Sequence, residues 1–338
     1  MKRTLTCLAA SCFIASASAA PADNATLFGF AEGAEVAETA VTQGRIDTIS
    51  GIVYRQVTST RAVRQLRMTL QIPRNTAKKP CVIYFPGGGF TSADHEKFTE
   101  LRYELARAGF VVAAAEYRPV PVKFPGLIED GKAAVRFLRA HADEFGIDPG
   151  RIGVVGDSAG GYLTEMLGTT NGEKGWDRGD WPDVSSDVQA VVSLYGISDL
   201  RTIGEGLGDD QAAVHASPAV TEALLVHGPA FRLFPGASIL SDEKKALHAS
   251  AVGHVDGTEP PFLLLHGTED RLVSPLQSAG LYRELKAKGT DVQYVLMKGA
   301  AHGDLPWFQP PVIERIVNWF RAKLGGPSAA AEGTGANL

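Results

Sequence analysis

Short apolar runs alternate with helical patterns along most of this chain, and that alternation limits the folds available to it. The six runs are residues 81–85, 110–115, 152–155, 188–194, 262–265 and 292–297. Runs of this length are typical of strands that are buried on both faces of a sheet. Apolar residues at helical spacing occupy much of the remaining sequence, at 98–108, 128–141, 161–167, 274–288 and 311–324. The pattern predicts an α/β protein with a mostly parallel, doubly wound sheet and helices on both faces.

Two segments fall outside that alternation. Residues 53–57 and 66–72 alternate apolar and polar side chains, which predicts an antiparallel edge of the sheet. The interval 198–260 is far longer than a usual connection between a strand and the next element. It predicts a small cap insertion over the strand ends, and the apolar residues that we expect to line it are Leu224, Leu225, Phe231, Leu233 and Phe234.

The remaining segments flank one main domain, which we expect to occupy residues 50–324. An arm at 21–49 precedes it, because these residues show no sustained strand period. The Gly, Ala and Ser residues at 325–338 predict a disordered tail.

The first residues have the order of a secretory signal peptide. Lys2 and Arg3 precede an apolar run at 5–17, and small residues continue to Ala20. This run is too short to span a bilayer, which takes about 20 residues. We therefore expect a signal peptide at 1–20 with cleavage near Ala20, a periplasmic or secreted protein, and no integral membrane segment in the mature chain. Lipid attachment at Cys12 is the alternative, which the mass of the mature protein decides.

Charge and motif content exclude several classes of protein. The chain has 33 Lys and Arg against 38 Asp and Glu, and this net charge of -5 offers no basic surface to nucleic acid. It contains no HExxH pair, no Cys/His cluster and no GxGxxG opening a dinucleotide-binding fold. We therefore expect no nucleic-acid partner, no metal and no organic cofactor.

The segment Gly156-Asp157-Ser158-Ala159-Gly160 lies between the apolar run 152–155 and a helical pattern. GxSxG alone is a weak signal in a chain with 37 glycines. A strand, a sharp turn and a helix together are the context of a nucleophile elbow, in which small residues let the backbone fold tightly and the serine stands above the sheet. A phosphate-binding loop is the alternative, but no lysine follows at the required spacing. We predict that Ser158 is a nucleophile.

Asp270 and His302 each follow a predicted strand downstream of Ser158. A serine hydroxyl needs a base to take its proton and an acid to orient that base. The chain order Ser, Asp, His is the order that a nucleophile elbow on this kind of sheet requires. We therefore predict that His302 is the base and Asp270 its carboxylate partner.

Neighbouring residues offer alternatives for both roles. Glu269 precedes Asp270, but a shorter acid fixed in the turn fits the role better. His95 follows the glycine run and is an alternative base, whereas His266 lies too close to its strand to reach far. The other histidines lie in helical patterns or in the insertion, where we expect solvated or packing roles: His141, His215, His227, His248 and His254.

Three glycines at 87–89 follow the apolar run 81–85. Successive glycines let bare backbone amides approach a ligand, and amides at this place can bind an oxygen that becomes negative during acyl transfer. We predict an oxyanion hole formed by the amides of Gly88, Gly89 and Ala159. A flexible turn is the alternative, but it would not explain three glycines in a row.

Together these residues resemble the α/β-hydrolase superfamily, in particular bacterial acetyl and feruloyl esterases and hormone-sensitive-lipase-like carboxylesterases. The resemblance extends over about residues 65–324. The segment 115–119 looks like the Asp-Tyr-Arg segment of that family, and we expect Arg118 to pair with Asp130. The chain departs from many members at Pro86, where they have a histidine. The glycine amides are still present in this chain, whereas it lacks the contacts that an imidazole at this position would make.

The resemblance implies hydrolysis of carboxylic esters through an acyl-enzyme, without a metal or cofactor. The expected substrate is a small-molecule or glycan-borne ester, with acetyl or feruloyl groups as examples. A short acyl chain is favoured because the insertion is too small for a large lipase lid. Phe90, Trp176 and Trp181 are candidate substrate contacts, since aromatic faces bind flat apolar groups. Packing within the loop of the two tryptophans is the alternative.

Other functions fit the same residues. An exopeptidase or acylaminoacyl peptidase shares this triad, but no blade-like repeat precedes the hydrolase region in this sequence. A non-catalytic binding protein of this shape usually lacks a member of the triad, whereas all three are present. A lactonase or thioesterase uses the same machinery, so the residues leave that choice open, and they leave the oligomeric state open as well.

Overall fold

The computed structural model describes residues 24–326. The chain divides into two compact units, Met1–Thr42 and Gln43–Leu338. In the first unit, the described residues 24–42 are exposed and contain one short 3-10 turn, Asn24–Thr26. The predicted signal peptide and nearly all of the predicted tail lie outside the described residues.

Within the described part of the chain, eight strands form one sheet. Their bounds are β1 Ile46–Thr58, β2 Val63–Pro73, β3 Lys79–Phe85, β4 Val111–Ala115, β5 Ile147–Asp157, β6 Ala190–Leu194, β7 Phe262–Gly267 and β8 Val292–Met297. They are arranged in the order β1-β2-β4-β3-β5-β6-β7-β8. The β1/β2 and β2/β4 pairs are antiparallel, and every other pair is parallel. The predicted parallel sheet with an antiparallel edge is therefore confirmed.

Nine α-helices accompany these strands in residues 24–326. Their bounds are α1 Thr99–Arg107, α2 Gly126–Ala140, α3 Ala142–Phe145, α4 Ala159–Thr169, α5 Asp209–His215, α6 Thr221–His227, α7 Glu243–His248, α8 Leu276–Ala287 and α9 Pro310–Leu324. None of these described helices combines the length and the apolar character that crossing a bilayer demands.

Strand β3 shows why a continuous apolar run predicts a strand covered on both faces. All seven of its residues are buried. Ile83 packs into the hydrophobic cluster that contains residues of α2, α4 and α8, while Val82 and Tyr84 pack into the cluster that contains residues of α1 and α9. Successive side chains of a strand point to opposite faces, so helices cover both faces of the sheet.

The first strand begins earlier than its sequence pattern indicates. β1 starts at Ile46, inside the segment 21–49 that we expected to be an arm. Ile46 pairs with Pro73 and Ile49 with Leu70 of the neighbouring strand. Most side chains of this edge strand are exposed or half-buried. Its first residues therefore lack the alternation that marks a half-buried strand.

The expected pairing of Arg118 with Asp130 is confirmed. Arg118 Nε donates to Asp130 Oδ2 at 2.7 Å, and the Arg118 amide donates to the same oxygen at 2.9 Å. Arg55 of β1 also contacts this fully buried carboxylate. The cluster ties the antiparallel edge to α2 and compensates the buried charge.

The insertion at 198–260 contains the short helices α5, α6 and α7 and several 3-10 turns. Leu225 of α6 is buried and Phe234 is 40% exposed. The expectation that apolar residues line a cap is wrong for Phe231 and Leu233. Their exposures are 70% and 100%. Both lie in a tight turn closed by backbone hydrogen bonds between Phe231 and Phe234, which leaves their side chains in solvent.

Candidate active site

Ser158 lies at the turn between β5 and α4, at the carboxyl end of a central strand. Its φ of 53° and ψ of -118° are unusual for a residue with a side chain. Such strain is typical of a nucleophile held above a sheet. A Cβ on Gly160 would lie 2.0 Å from the Phe85 carbonyl oxygen, and one on Gly156 would lie 2.3 Å from the Gly160 oxygen. The turn therefore requires glycine at both positions.

Three side chains meet at this turn in a hydrogen-bonded relay. The Ser158 hydroxyl donates to His302 Nε2 at 2.9 Å, and His302 Nδ1 donates to Asp270 Oδ2 at 2.7 Å. His302 follows β8 and Asp270 follows β7. Because the carboxyl ends of parallel strands meet at one edge of a sheet, residues far apart in the sequence come together there. The geometry is that of a base poised to take the serine proton.

Asp270 is buried and accepts several hydrogen bonds. Its Oδ1 accepts from the amides of Leu272 and Val273, each at 2.9 Å. Burial by itself would raise the pKa of this carboxyl, but the hydrogen bonds from His266 and His302 outweigh burial and hold the pKa well below its usual range. Asp270 is therefore a carboxylate at neutral pH, and it can stabilise a positive charge on His302.

The loop that carries His302 is fixed by residues that the sequence analysis missed. The Trp307 indole donates to the Ala301 carbonyl at 2.7 Å, and the Ala301 amide donates to Asp304 at 3.0 Å. The Tyr195 ring lies edge-on to the His302 ring, with centroids 4.7 Å apart. Trp307 and Tyr195 look like ordinary apolar residues in the sequence, so no local signal marks them.

The glycine run is held next to the elbow by its neighbours. The Gly87 amide donates to Asp157 Oδ1 at 3.0 Å, and the Tyr84 hydroxyl donates to the same oxygen at 2.8 Å. The Tyr117 hydroxyl donates to the carbonyl of Pro86 at 2.7 Å. These contacts hold the backbone at Pro86, and no local pattern in the sequence predicts them.

The amides predicted to bind an oxyanion are available at this site. No acceptor in residues 24–326 receives a hydrogen bond from the amides of Gly88, Gly89 or Ala159. Gly89 adopts a φ of +56°, which glycine tolerates without strain. Ala159 is the first residue of α4, so its amide points out of the positive end of a helix.

The alternative residues lie elsewhere. Glu269 is exposed and faces Arg271 at 3.5 Å. His95 faces Glu96 and Glu116 at 3.6 and 3.8 Å. His266 is buried, its Nδ1 2.7 Å from the Ser278 hydroxyl and its Nε2 2.9 Å from the Val273 carbonyl. None of the three contacts Ser158, so the structure brings together the three residues that the chain order predicts.

A cavity of about 290 Å³ opens beside Ser158. Gly89, Phe90 and Ile197 line it from the sheet side, and residues of the insertion line it from the other side. Its surface is mainly apolar. Phe90 thus lies where the sequence analysis expected a substrate contact.

The two predicted tryptophan contacts lie away from this cavity. Trp176 packs against Phe124 and His248, with ring centroids 5.3 and 5.4 Å away. Trp181 packs against Phe137 at 5.4 Å. Both rings join the apolar cluster around α2, so the geometry gives them a packing role and corrects their assignment to the substrate.

Comparisons with known proteins agree with this fold and extend over most of it. The model of the BD-FAE family matches residues 68–285. The "Probable carboxylic ester hydrolase LipM" of Mycobacterium tuberculosis is 30% identical over 62% of this chain and 46% of its own length. "Esterase LipC" of the same organism is 29% identical over 68% of this chain and 54% of its own. The chain thus spans about half the length of these curated relatives.

A solved structure has the same fold. The "Truncated form of carbohydrate esterase from gut microbiota" superposes with a TM-score of 0.68 and 23% identity, covering 84% of this chain and 98% of that one. The resemblance to the α/β-hydrolase esterases is confirmed. Because the BD-FAE family model matches well over half of the residues, the chain belongs to that family, and it has the α/β-hydrolase fold.

Proposed function

We propose that the protein hydrolyses carboxylic esters through a covalent acyl-enzyme on Ser158. The observation that supports this most is the relay from Asp270 through His302 to Ser158, which stands beside backbone amides that donate to no acceptor in residues 24–326. Relatives that share part of the chain are named as esterases and carboxylic ester hydrolases. An acyl-transfer site needs both of these elements, a nucleophile–base pair and donors for the developing charge.

The reaction proceeds in two halves. Ser158 Oγ attacks the ester carbonyl carbon while His302 takes the hydroxyl proton, and the carbonyl oxygen becomes negative beside the amides of Gly88, Gly89 and Ala159. The intermediate collapses, the bond to the alcohol oxygen breaks, and His302 returns the proton to the departing alcohol. A water molecule then loses a proton to His302 and attacks the acyl-enzyme. The acid leaves, and Ser158 regains its proton.

In this proposal the cavity beside Ser158, which we call the acyl cavity, limits the size of the acid part of the ester. His302 must reach the leaving alcohol oxygen, so the alcohol lies on the side of His302. The cavity borders Ser158 and Gly89 but is not lined by His302, and it therefore receives the acyl group. Ligand sites range from about 300 to 1,000 Å³, so this cavity is at the small end of the range. A short aliphatic or small aromatic acyl group fits it.

The alcohol part of the substrate is a glycan or another polar molecule in this proposal. One structural neighbour is named as a carbohydrate esterase. A signal peptide at residues 1–20 would bring the enzyme to extracellular glycans. Amino-terminal sequencing of the protein isolated from its host tests this part, and a start near Pro21 is the expected result. A start at Met1 would contradict export.

We expect kcat/KM to fall with acyl length in the series 4-nitrophenyl acetate, butyrate and octanoate. The loss between butyrate and octanoate should be about tenfold or more, because octanoate is longer and even one methylene without room in an apolar pocket costs about 1–3 kcal/mol. Steady-state hydrolysis of the three esters by the purified protein measures it. A preference for octanoate would contradict the short-chain assignment. Inactivity on all three would contradict the esterase proposal and direct attention to peptide substrates.

A further inference from the structure

Two short helices of the insertion close the acyl cavity on its outer side. Residues of α5 and the first turn of α6 line it, together with residues 271–273 of the loop after β7. None of the residues of α5 is buried. In contrast, α6 buries Leu225 and Val226. Helix α5 therefore covers the cavity without burying an apolar side chain of its own. A helix with so few buried contacts can move away from the cavity at low free-energy cost.

One polar pair joins α5 to the firmly packed α6. His215, the last residue of α5, donates from Nδ1 to Glu222 Oε1 at 2.5 Å. The Glu222 side chain is only 4% exposed and that of His215 only 12%. An ion pair at this degree of burial is less screened than a surface pair, and breaking it leaves a buried carboxylate without its partner. We had expected His215 to be solvated or to serve in packing, and its place on the cavity wall corrects that expectation.

The electrostatic surroundings favour the charged form of His215. The hydrogen bond to Glu222 raises the pKa of the imidazole, burial opposes this, and the negative charge of Glu222 and the Leu272 carbonyl raise the pKa further. Leu272 belongs to the loop whose amides bind Asp270. The pair thus lies at the meeting point of α5, α6 and the Asp270 loop, and all three line the acyl cavity.

We propose that the His215–Glu222 pair determines acyl-chain specificity by fastening α5 over the acyl cavity. This inference rests on the proposed esterase function and adds a specificity-determining pair to it. While the pair is intact, α5 limits the depth of the cavity to short acyl groups. When the pair is broken, α5 has no other buried side chain to hold it, and longer acyl chains enter. His215 acts on the substrate through the position of α5, so it is a positioning residue and takes no proton from the reacting atoms.

Other charged groups face His215 from the elements around it. Glu205 follows Gly204, where a Cβ would lie 3.4 Å from the Cβ of His215. The remaining ones lie on α5 itself, on α6 and on the loop after β7: Asp209, Asp210, Glu222 and Arg271. Of these groups, Glu222 is the one whose hydrogen bond and charge raise the pKa of the imidazole.

The ratio of kcat/KM for 4-nitrophenyl butyrate to that for the octanoate tests the proposal. Any change in the catalytic step that is common to both esters cancels in this ratio. We expect His215→Gln and Glu222→Gln to lower the ratio about tenfold, roughly the discrimination that one methylene provides. The matched control is His227→Gln, at the end of α6 and outside the cavity lining, which should keep the ratio of the unmodified protein.

The pH dependence of the same ratio separates a positioning role from a loss of structure. A raised pKa means that the pair is intact at low pH and is lost as pH rises through the folded-state pKa of His215. The ratio of the unmodified protein should therefore decrease as pH rises above the usual imidazole pKa of about 6.5, while that of His215→Gln stays constant at the lower value. Glu222→Gln keeps the side-chain volume, so it serves if His215→Gln fails to fold.

The outcomes distinguish the two proposals. A protein that hydrolyses the butyrate with a ratio unchanged in both variants, or unchanged with pH, would overturn the role of the pair and leave the esterase proposal intact. A protein that hydrolyses neither ester would overturn the esterase proposal, and the specificity role would fall with it. A lowered ratio in both variants, with the control unchanged, supports the role of the pair.

Discussion

Replacing Ser158 with alanine should lower kcat/KM for 4-nitrophenyl acetate by at least about 10⁴-fold, because the residual amide donors and the binding site provide only a small part of the rate enhancement. The hydroxyl contacts only His302 among side chains of the described residues, so its removal leaves no buried donor without a partner there. The thermal unfolding midpoint should accordingly stay within a few degrees of that of the unmodified protein. Steady-state kinetics and a thermal melt measure the two quantities.

A matched control for this variant is Ser59→Ala. The Ser59 hydroxyl is exposed and bonds to the Ala62 carbonyl in the turn between β1 and β2, and Ser59 does not line the cavity beside Ser158. We expect its activity to be unchanged. Retention of more than about a hundredth of the activity in Ser158→Ala would mean that another group performs the attack, since loss of a nucleophile costs far more than this.

Asp270→Asn should lower kcat by about 10⁴-fold while leaving KM nearly constant. The amide of Asn can donate a hydrogen bond to His302 Nδ1 and so favours the wrong tautomer of the imidazole. It also removes the negative charge that stabilises the imidazolium. A comparison of kcat and KM for the acetate ester measures the effect.

The adjacent carboxylate provides the control for Asp270. Glu269 is exposed and its ion pair with Arg271 is on the surface, so Glu269→Gln should change kcat by less than about twofold. The opposite result, with Glu269→Gln inactive and Asp270→Asn active, would assign the acid to the other residue and contradict the geometry of the relay.

The Asp270 carboxyl also affects how the free energy of unfolding depends on pH. Its folded-state pKa is depressed, so its ionised form contributes stability that is present above its unfolded pKa of about 4 and is lost as pH falls toward the folded value. Asp270→Asn should therefore remove part of the acid sensitivity of unfolding.

The sequence predicts the sheet well because burial on both faces leaves an uninterrupted apolar run. The run at 110–115 nearly coincides with β4, and all five residues of Val111–Ala115 are buried. The run at 292–297 matches the bounds of β8, but β8 is an edge strand in which only Val292 is buried, so the expected burial on both faces is wrong there. The start of β1 at Ile46 is harder to predict, because an exposed edge strand shows no clear apolar period. Pairing with a neighbour, which composition does not reveal, decides where such a strand begins.

The catalytic residues could be predicted from the order of strands and helices, whereas the substrate contacts could not. A predicted strand precedes each of the residues Ser158, Asp270 and His302. The carboxyl ends of parallel strands lie at one edge of the sheet, so these residues come together there. Trp176 and Trp181 belong to a connecting segment whose direction depends on packing against α2, so their chemistry alone suggested the wrong place. His215 and Glu222 lie on short helices without apolar period, and only the structure shows that they are paired.

The most direct test of the account is the mass of the peptide containing Ser158 after rapid mixing with 4-nitrophenyl acetate and acid quenching. The account predicts a burst of 4-nitrophenol no larger than one equivalent, and a peptide heavier by one acetyl group at Ser158, with neither signal in Ser158→Ala. An acetyl group on a different residue, or turnover in which Ser158→Ala gives the same burst and label, would contradict the acyl-enzyme mechanism.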